Sequence, residues 1–274
     1  MAHKTLIDGT SYDIKSGRPL IGGTGYDIKK GRTLIDGTGY DISFDTPVGE
    51  LPVGTNVYMN VDGSRREFII VQQGNPNPAI YDASCDGTWV LQKNVYSNVE
   101  WMHSGNSNYF QYYDKSTALS HLNNTVLKTF DPAIQNLIKK VKIPCRISGW
   151  SDIRYGADGL LTSLFQLSAT EVAGDEVKSG TAENDGEQLA YFKAIAQADR
   201  IAYMNGEAVD WWLRSTRYSR LTGDWIKAYY YVMARGTLAS TDSFNGTFGT
   251  LGERFAMVLP FEAMTDSDFN IIPA

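Results

Sequence analysis

Apolar and polar residues alternate with a fixed 14-residue period at the start of this chain: LIDGTSYDI from Leu6 returns as LIGGTGYDI at Leu20 and as LIDGTGYDI at Leu34. Each unit runs through an apolar pair, a Gly-Thr turn, a Tyr-x-Ile alternation and a basic turn containing glycine. That pattern predicts two short strands per unit, with glycine supplying the turn geometry a hairpin needs. Strands this short cannot form a core by themselves, and the period lies below that of globular solenoids. Residues 1–42 are therefore expected to form a fibre-like β ladder, an assembly segment that pairs with copies of itself or adds strands to a larger particle.

The repeats stop at Ile42, and SFDTPVGELPVG then lacks any helical period, so residues 43–54 are expected to be a linker. A main domain is expected over 55–274. It opens with a hairpin, in which an alternating strand, the Asp62-Gly63 turn and the apolar strand from Phe68 to Val71 follow in order. Leu119, Leu122, Val126 and Leu127, and then Ile134, Leu137, Ile138 and Val141, fall at helical spacing. Two helices should meet at Asp131-Pro132, with Asp131 capping the second and Lys139 and Lys140 near its C-terminal end. LLTSLFQLS is expected as a buried strand, GEQLAYFKAIAQADRIAYMNG mixes helix and strand signals, and short strands separated by loops follow from Trp211. The expected class is α+β with segregated elements.

Composition narrows the function. In 274 residues with a net charge of -6, Lys and Arg are scattered, which favours neither nucleic acid nor an anionic membrane. No apolar run approaches the span of a bilayer and no secretory signal opens the chain, so synthesis in the cytoplasm is expected. Cys85 and Cys145 lack ligand spacing and should be reduced thiols. His3, His103 and His121 share no metal pattern, GGTGYDI lacks the lysine of a phosphate loop, and the acidic turns DASCDG and DIRYGADG lack calcium-ligand order. No catalytic residue, metal or cofactor is expected.

GNPNPAIYDASCDGTWVLQKNVY, KKVKIP, LFQLSATEVAG, RIAYMNG, DWWLRS and the closing GERFAMVLP occur in that order. Together they resemble a domain family of unknown function from Clostridia-type phages and prophages, whose members carry YDxSCDGTW, WWLRS and RPAxxLP and often place Gly-Thr-x-Tyr repeats ahead of the domain. Here Arg254-Phe255-Ala256 replaces Arg-Pro-Ala. The family is similar to C-type-lectin-like domains, the fold of formylglycine-generating enzymes and of variable adhesins. The resemblance implies a twisted antiparallel sheet, two or more helices and long surface loops. The paired C-terminal cysteines of the formylglycine-generating enzymes are missing, because no cysteine follows Cys145. An enzyme of that type is the most distant reading.

In WWLRS, an indole pair with a neighbouring arginine reads as core, so Trp211, Trp212, Arg214 and Arg254 are expected to be scaffold. If the stretch is a strand, Trp211, Leu213 and Ser215 face one side and Trp212 and Arg214 the other. From Thr216 to Thr250, 21 of 35 residues are Tyr, Ser, Thr, Gly, Trp, Phe or Asn, the composition of antibody contact loops. Tyr218, Ser219, Thr222, Trp225, Tyr229, Tyr231, Asp242, Ser243, Phe244 and Asn245 are the expected ligand-binding residues. Some of Tyr229, Tyr230 and Tyr231 must point inward. The resemblance adds that adhesins of this fold vary this stretch. The reading is a virion protein of a phage tail or tail tip that binds a host cell-surface protein or glycan. It would attach to other virion proteins through residues 1–42 and form a homo-oligomer, with a trimer favoured. A structural tail or head decoration is the alternative.

Overall fold

A computed structural model describes residues 3–7, 10–14, 20–21, 24–25, 30–35, 38–43, 45–101, 112–148, 152–177, 185–221, 224–240 and 250–273. In residues 3–43, at 147–148 and 152, and at 217–221 and 224–228, only the backbone is described. Each repeat forms its own antiparallel hairpin, with Ile7 opposite Thr10, Ile21 opposite Thr24 and Ile35 opposite Thr38. Among the described residues, no pairing joins one hairpin to the next. Pro19, between the first two units, has no N–H to extend a ladder.

The linker expected over 43–54 is partly built into the domain. Thr46–Pro47 pairs with Met264–Thr265, the Val48 amide donates to Ala263 O at 2.7 Å, and Val48 and Leu51 are buried. The Pro/Gly pattern there serves a turn packed against the far end of the chain, and its two apolar side chains enter the core.

Nine strands build the two main sheets: β1 Asn56–Val61, β2 Ser64–Gln73, β3 Thr88–Gln92, β4 Ser97–Val99, β5 Trp211–Leu221, β6 Asp224–Val232, β7 Leu238–Ser240, β8 Leu251–Glu253 and β9 Ala256–Leu259. The first sheet has the order β9-β3-β2-β1 and the second β4-β8-β5-β6-β7. All the pairings are antiparallel except that of β5 with β8. Between β1 and β2, Asp62 and Gly63 take φ of 53° and 66°. Those values at both central residues give the tight hairpin turn that the dipeptide announced. Among the described residues, four short α-helices accompany the sheets: α1 Thr117–Asn124, α2 Pro132–Leu137, α3 Ala169–Ala173 and α4 Ala190–Ala194. The class is α+β.

The first sheet is covered on both faces, which explains its unbroken apolar runs. Ile69, Val71, Trp89, Leu91, Ala256 and Val258 enter one core with Trp211, Leu213, Phe165 and Val172. Phe68, Ile70, Val90, Met257 and Leu259 enter a second with Leu122, Val126, Phe130, Ile134 and Ile138. The helical spacing thus found the correct buried positions but overestimated the helices. α2 ends at Leu137, Val141–Ile143 is a strand, and Asp131 makes no side-chain cap bond. Lys139 and Lys140 lie past the helix rather than in its last turn. Lys139 instead donates through Nζ to Asp86 O and through its amide to Val258 O. In LLTSLFQLS only Leu160–Thr162 is a strand, and the buried remainder is held by the Phe165–Ala256 bridge.

A buried ion pair joins these layers. Ser168 and Glu171 form a capping box at the start of α3, with Ser168 Oγ accepting from the Glu171 amide and Glu171 Oε2 accepting from the Ser168 amide. The Glu171 carboxylate then takes both ends of the Arg214 guanidinium at 2.6 Å, and its Oε1 accepts from Tyr81 Oη at 2.6 Å. Arg214 also donates to Pro144 O, Gln166 O and Asp185 O, so all five of its N–H groups have acceptors. Glu171 raises the Arg214 pKa well above its ordinary value against the opposing effect of burial.

Removing one partner of such a pair leaves a buried charge. Arg214→Met should lower unfolding free energy by about 3–5 kcal/mol. Tyr81→Phe, which removes a single hydrogen bond to a charged group, should cost about 1.5–3 kcal/mol. Urea denaturation followed by tryptophan fluorescence measures both, and equal, negligible costs would contradict the assignment.

Candidate recognition surface

The hairpin formed by β5 and β6 carries much of the expected ligand-binding stretch, and its base is solid core. Trp211, Trp212 and Leu213 are fully buried, and Arg214, Ser215 and Thr216 nearly so. Trp211 and Leu213 enter one core while Trp212 enters another with Trp101, Tyr113, Cys145 and Tyr229, the alternation expected of a strand. A bulge interrupts it: three residues, 213–215, oppose the single Tyr230 between the pairs Trp212–Tyr231 and Thr216–Tyr229. There the strand leaves its ladder, and the Arg214 amide donates to Leu167 O at 2.9 Å. The extra residues aim Arg214 at Glu171 and let Ser215 Oγ donate to Asp185 Oδ2.

Arg254 is scaffold by another route. Its guanidinium lies 4.8 Å from the Trp211 ring centre and donates to the carbonyls of Gln92 and Arg200. Desolvation brings its pKa down to about 10. Phe255 is buried with Phe68 and Phe130.

Tyr229 corrects the expected binding set. It is 5% exposed, and its ring centre lies 4.1 Å from that of Trp101. Burial pushes its phenol up to about 12. It is core because it faces the Trp212 side of the hairpin, where Trp101 closes over it. Tyr231 is half-buried, edge-on to Trp212. Beyond Thr216 the backbone continues as paired strands: Tyr218 opposite Lys227, Ser219 opposite Ile226 and Arg220 opposite Trp225. The register places Tyr218 and Trp225 on the same face of the hairpin as Tyr229, and Ser219 on the other. Thr222, Asp242, Ser243, Phe244 and Asn245 lie outside the described residues.

Other chain segments are fastened to the same base. Trp101 donates through Nε1 to Leu213 O, Tyr113 Oη accepts from the Gln166 amide, and Asp185 accepts from Arg214 and Ser215. Ser240 pairs with Tyr230. The described ends flanking 102–111, the C-terminal flank of 178–184 and the N-terminal flank of 241–249 thus attach at or beside one part of β5 and β6. Sequence reasoning missed MHSGNSNYFQ, residues 102–111, in which seven of ten are Ser, Gly, Asn, Tyr or Phe. The signal was present, since this is the composition of the C-terminal stretch. It also missed an open groove of about 680 Å³ between α1 and Leu160–Ser163. Asn123 pins that groove's wall, donating to Leu119 O and Leu164 O and accepting from Thr162 Oγ1.

Cys85 and Cys145 are free thiols, each pushed up to about 12 by desolvation. In the DASCDG turn, hydrogen bonds to Asp82 from the Ser84 side chain and then from the Ser84 amide lower the Asp82 pKa. Among the described residues there is no cluster of three or more metal-ligating side chains, and no helix is long and apolar enough to cross a membrane. His121 Nδ1 lies 2.8 Å from Oε2 of Glu253, a carboxylate without solvent exposure. That bond raises the His121 pKa, and burial raises that of Glu253.

These features define an α+β domain in which a long hairpin rises from a buried aromatic and charged base. Residues 86–261 match the family described as a domain of unknown function, DUF6273, and the chain belongs to that family. The match excludes β1 and β2, although β2 pairs with β3 inside it. No curated protein and no solved structure matched the chain.

Two outcomes are expected. Both thiols should resist a thiol reagent in the folded protein and react as two free groups once it is unfolded; a single reacting group or none would contradict their assignment. For the His121–Glu253 pair, a raised histidine pKa stabilises fully below about pH 6.5, the unfolded value, and the contribution is lost as pH rises through the folded value. The raised Glu253 pKa acts with the same sign, because the folded protein holds that proton to higher pH than the unfolded chain. The stability of the native protein relative to a His121→Gln/Glu253→Gln variant should therefore fall between about pH 5 and 8. Thermal melts of both proteins across that range check the sign.

Proposed function

We propose that this protein is a virion component of a phage or prophage whose main domain displays a binding surface for a host cell-surface protein or glycan. The observation that carries the reading is the β5–β6 hairpin. Its base is locked by Trp211, Trp212 and the Arg214–Glu171 pair, and paired backbone continues from it into a sequence rich in Tyr, Ser, Thr and Trp. Aromatic side chains with few rotors, held on a rigid element, provide contact area at low entropic cost. Attachment of neighbouring segments to the same base supports a composite surface. The two largely antiparallel sheets, short helices and long connections are compatible with a C-type-lectin-like domain. In this reading residues 1–42 assemble the protein on the particle, and the domain acts by binding rather than by catalysis.

Variants separate display from scaffold. Tyr218 and Trp225 share a face with Tyr229 but lie further along the hairpin, and in this reading Tyr218→Ala and Trp225→Ala leave the melting temperature within a few degrees, since surface changes typically cost under about 0.5 kcal/mol. Each should weaken adsorption to host cells by about 30-fold, the effect of a binding hot spot. Tyr229→Ala should instead destabilise the domain by about 3–5 kcal/mol. If folded Tyr218 and Trp225 variants adsorb like the native protein, the decoration reading takes its place.

A further inference from the structure

The three repeats share one register, and it sorts their residues by chemistry. In the first hairpin the pairs Ile7–Thr10, Thr5–Tyr12 and His3–Ile14 occupy one face, and Leu6–Ser11 and Lys4–Asp13 the other. The third repeats this arrangement, with Ile35–Thr38, Thr33–Tyr40 and Gly31–Ile42 on one face and Leu34–Gly39 and Arg32–Asp41 on the other. In the second, Leu20–Gly25 and Ile21–Thr24 keep the same register. Its Tyr26 and Ile28 lie outside the described residues. The first and third units thus each carry an Ile-Tyr-Ile face, and their opposite face holds a cross-strand pair of opposite charges.

We propose that the Ile-Tyr-Ile faces of these hairpins are the self-association surface of the protein, and that each is covered by the same face of another copy of this chain. The inference rests on the assembly role given to residues 1–42 above and says how that role is performed. Three observations select the occupant. A two-stranded hairpin is at best marginally stable alone, and no pairing among the described residues joins one hairpin to the next, so edge-to-edge pairing does not support it and a face-to-face partner would. The charged pairs make the opposite face costly to desolvate, which leaves the Tyr face. Finally, the 14-residue identity of register means that a second copy offers a matching face at every unit, as symmetric self-association requires.

Area explains why the phrase occurs three times. One tyrosine buries about 150–250 Å². A stable interface takes about 800 Å² from each partner. A single unit falls well short, whereas three tyrosines together supply about 450–750 Å² before their isoleucines are counted. Three units in register therefore reach the size at which association becomes specific, and fewer do not.

The test is sedimentation equilibrium of the full chain. All six tryptophans lie between Trp89 and Trp225, so their fluorescence reports on the main domain alone and confirms that every variant remains folded there. The native chain should self-associate. Tyr12→Lys/Tyr40→Lys should weaken association by at least about 100-fold, as expected when two central anchors are lost. Asp13→Ser/Asp41→Ser, on the opposite face, should change it less than about threefold, and deletion of residues 20–33 should weaken it at least about tenfold. If the tyrosine variant associates like the native chain, the face is wrongly assigned while the assembly role of residues 1–42 survives. A native chain that stays monomeric at high concentration would end the self-association proposal, and attachment to a different virion protein would then be all that remained of the assembly role.

Discussion

Everything in the main domain is arranged around the Arg214 guanidinium and the Glu171 carboxylate. Both are buried, and each charge has its full set of partners: five acceptors' worth of N–H donation on one side, and Tyr81, the Ser168 amide and Arg214 on the other. Taking two ions out of water costs several kcal/mol per ion, so the pair adds little net stability over a well-packed apolar alternative. Its effect is to exclude other arrangements. Tyr81, Pro144, Gln166, α3, Asp185 and β5 can occupy only the positions that leave neither charge unpaired.

That constraint explains the bulge in β5. Regular pairing through residues 213–215 would hold the strand to its ladder and away from Leu167. Two extra residues let the backbone bond to Leu167 O and turn Arg214 and Ser215 toward α3 and Asp185. The strand resumes its pairing at Thr216 and extends to Leu221.

The three repeat hairpins share a register, and among the described residues no pairing joins one to the next. Among the described residues the main domain holds three apolar clusters and the buried Arg214–Glu171 pair. Thr46–Pro47 and Val48, just after the last repeat, are fastened to Met264–Thr265 and Ala263. The chain therefore enters the domain beside its C-terminal strands at a fixed point.

Local patterns in the sequence determined the repeat hairpins, the Asp62-Gly63 turn, the α+β class, the alternation of Trp211 and Trp212, and most of the buried positions near α1 and α2. These follow from period and from backbone chemistry within a few residues, which a single sequence displays. Asn205-Gly206 was equally legible as a turn: it takes φ of 53° and 86° and joins Ala202–Met204 to Glu207–Val209. Tertiary structure alone decided that α2 stops at Leu137, that Val48 and Leu51 belong to the core, and that Tyr229 is scaffold rather than surface. It also decided that Glu171, a capping residue by local rules, would hold Arg214 from 43 positions away. Each of those outcomes depends on which distant groups arrive to exclude water. Residues that far apart do not reveal their meeting until the chain has closed on itself.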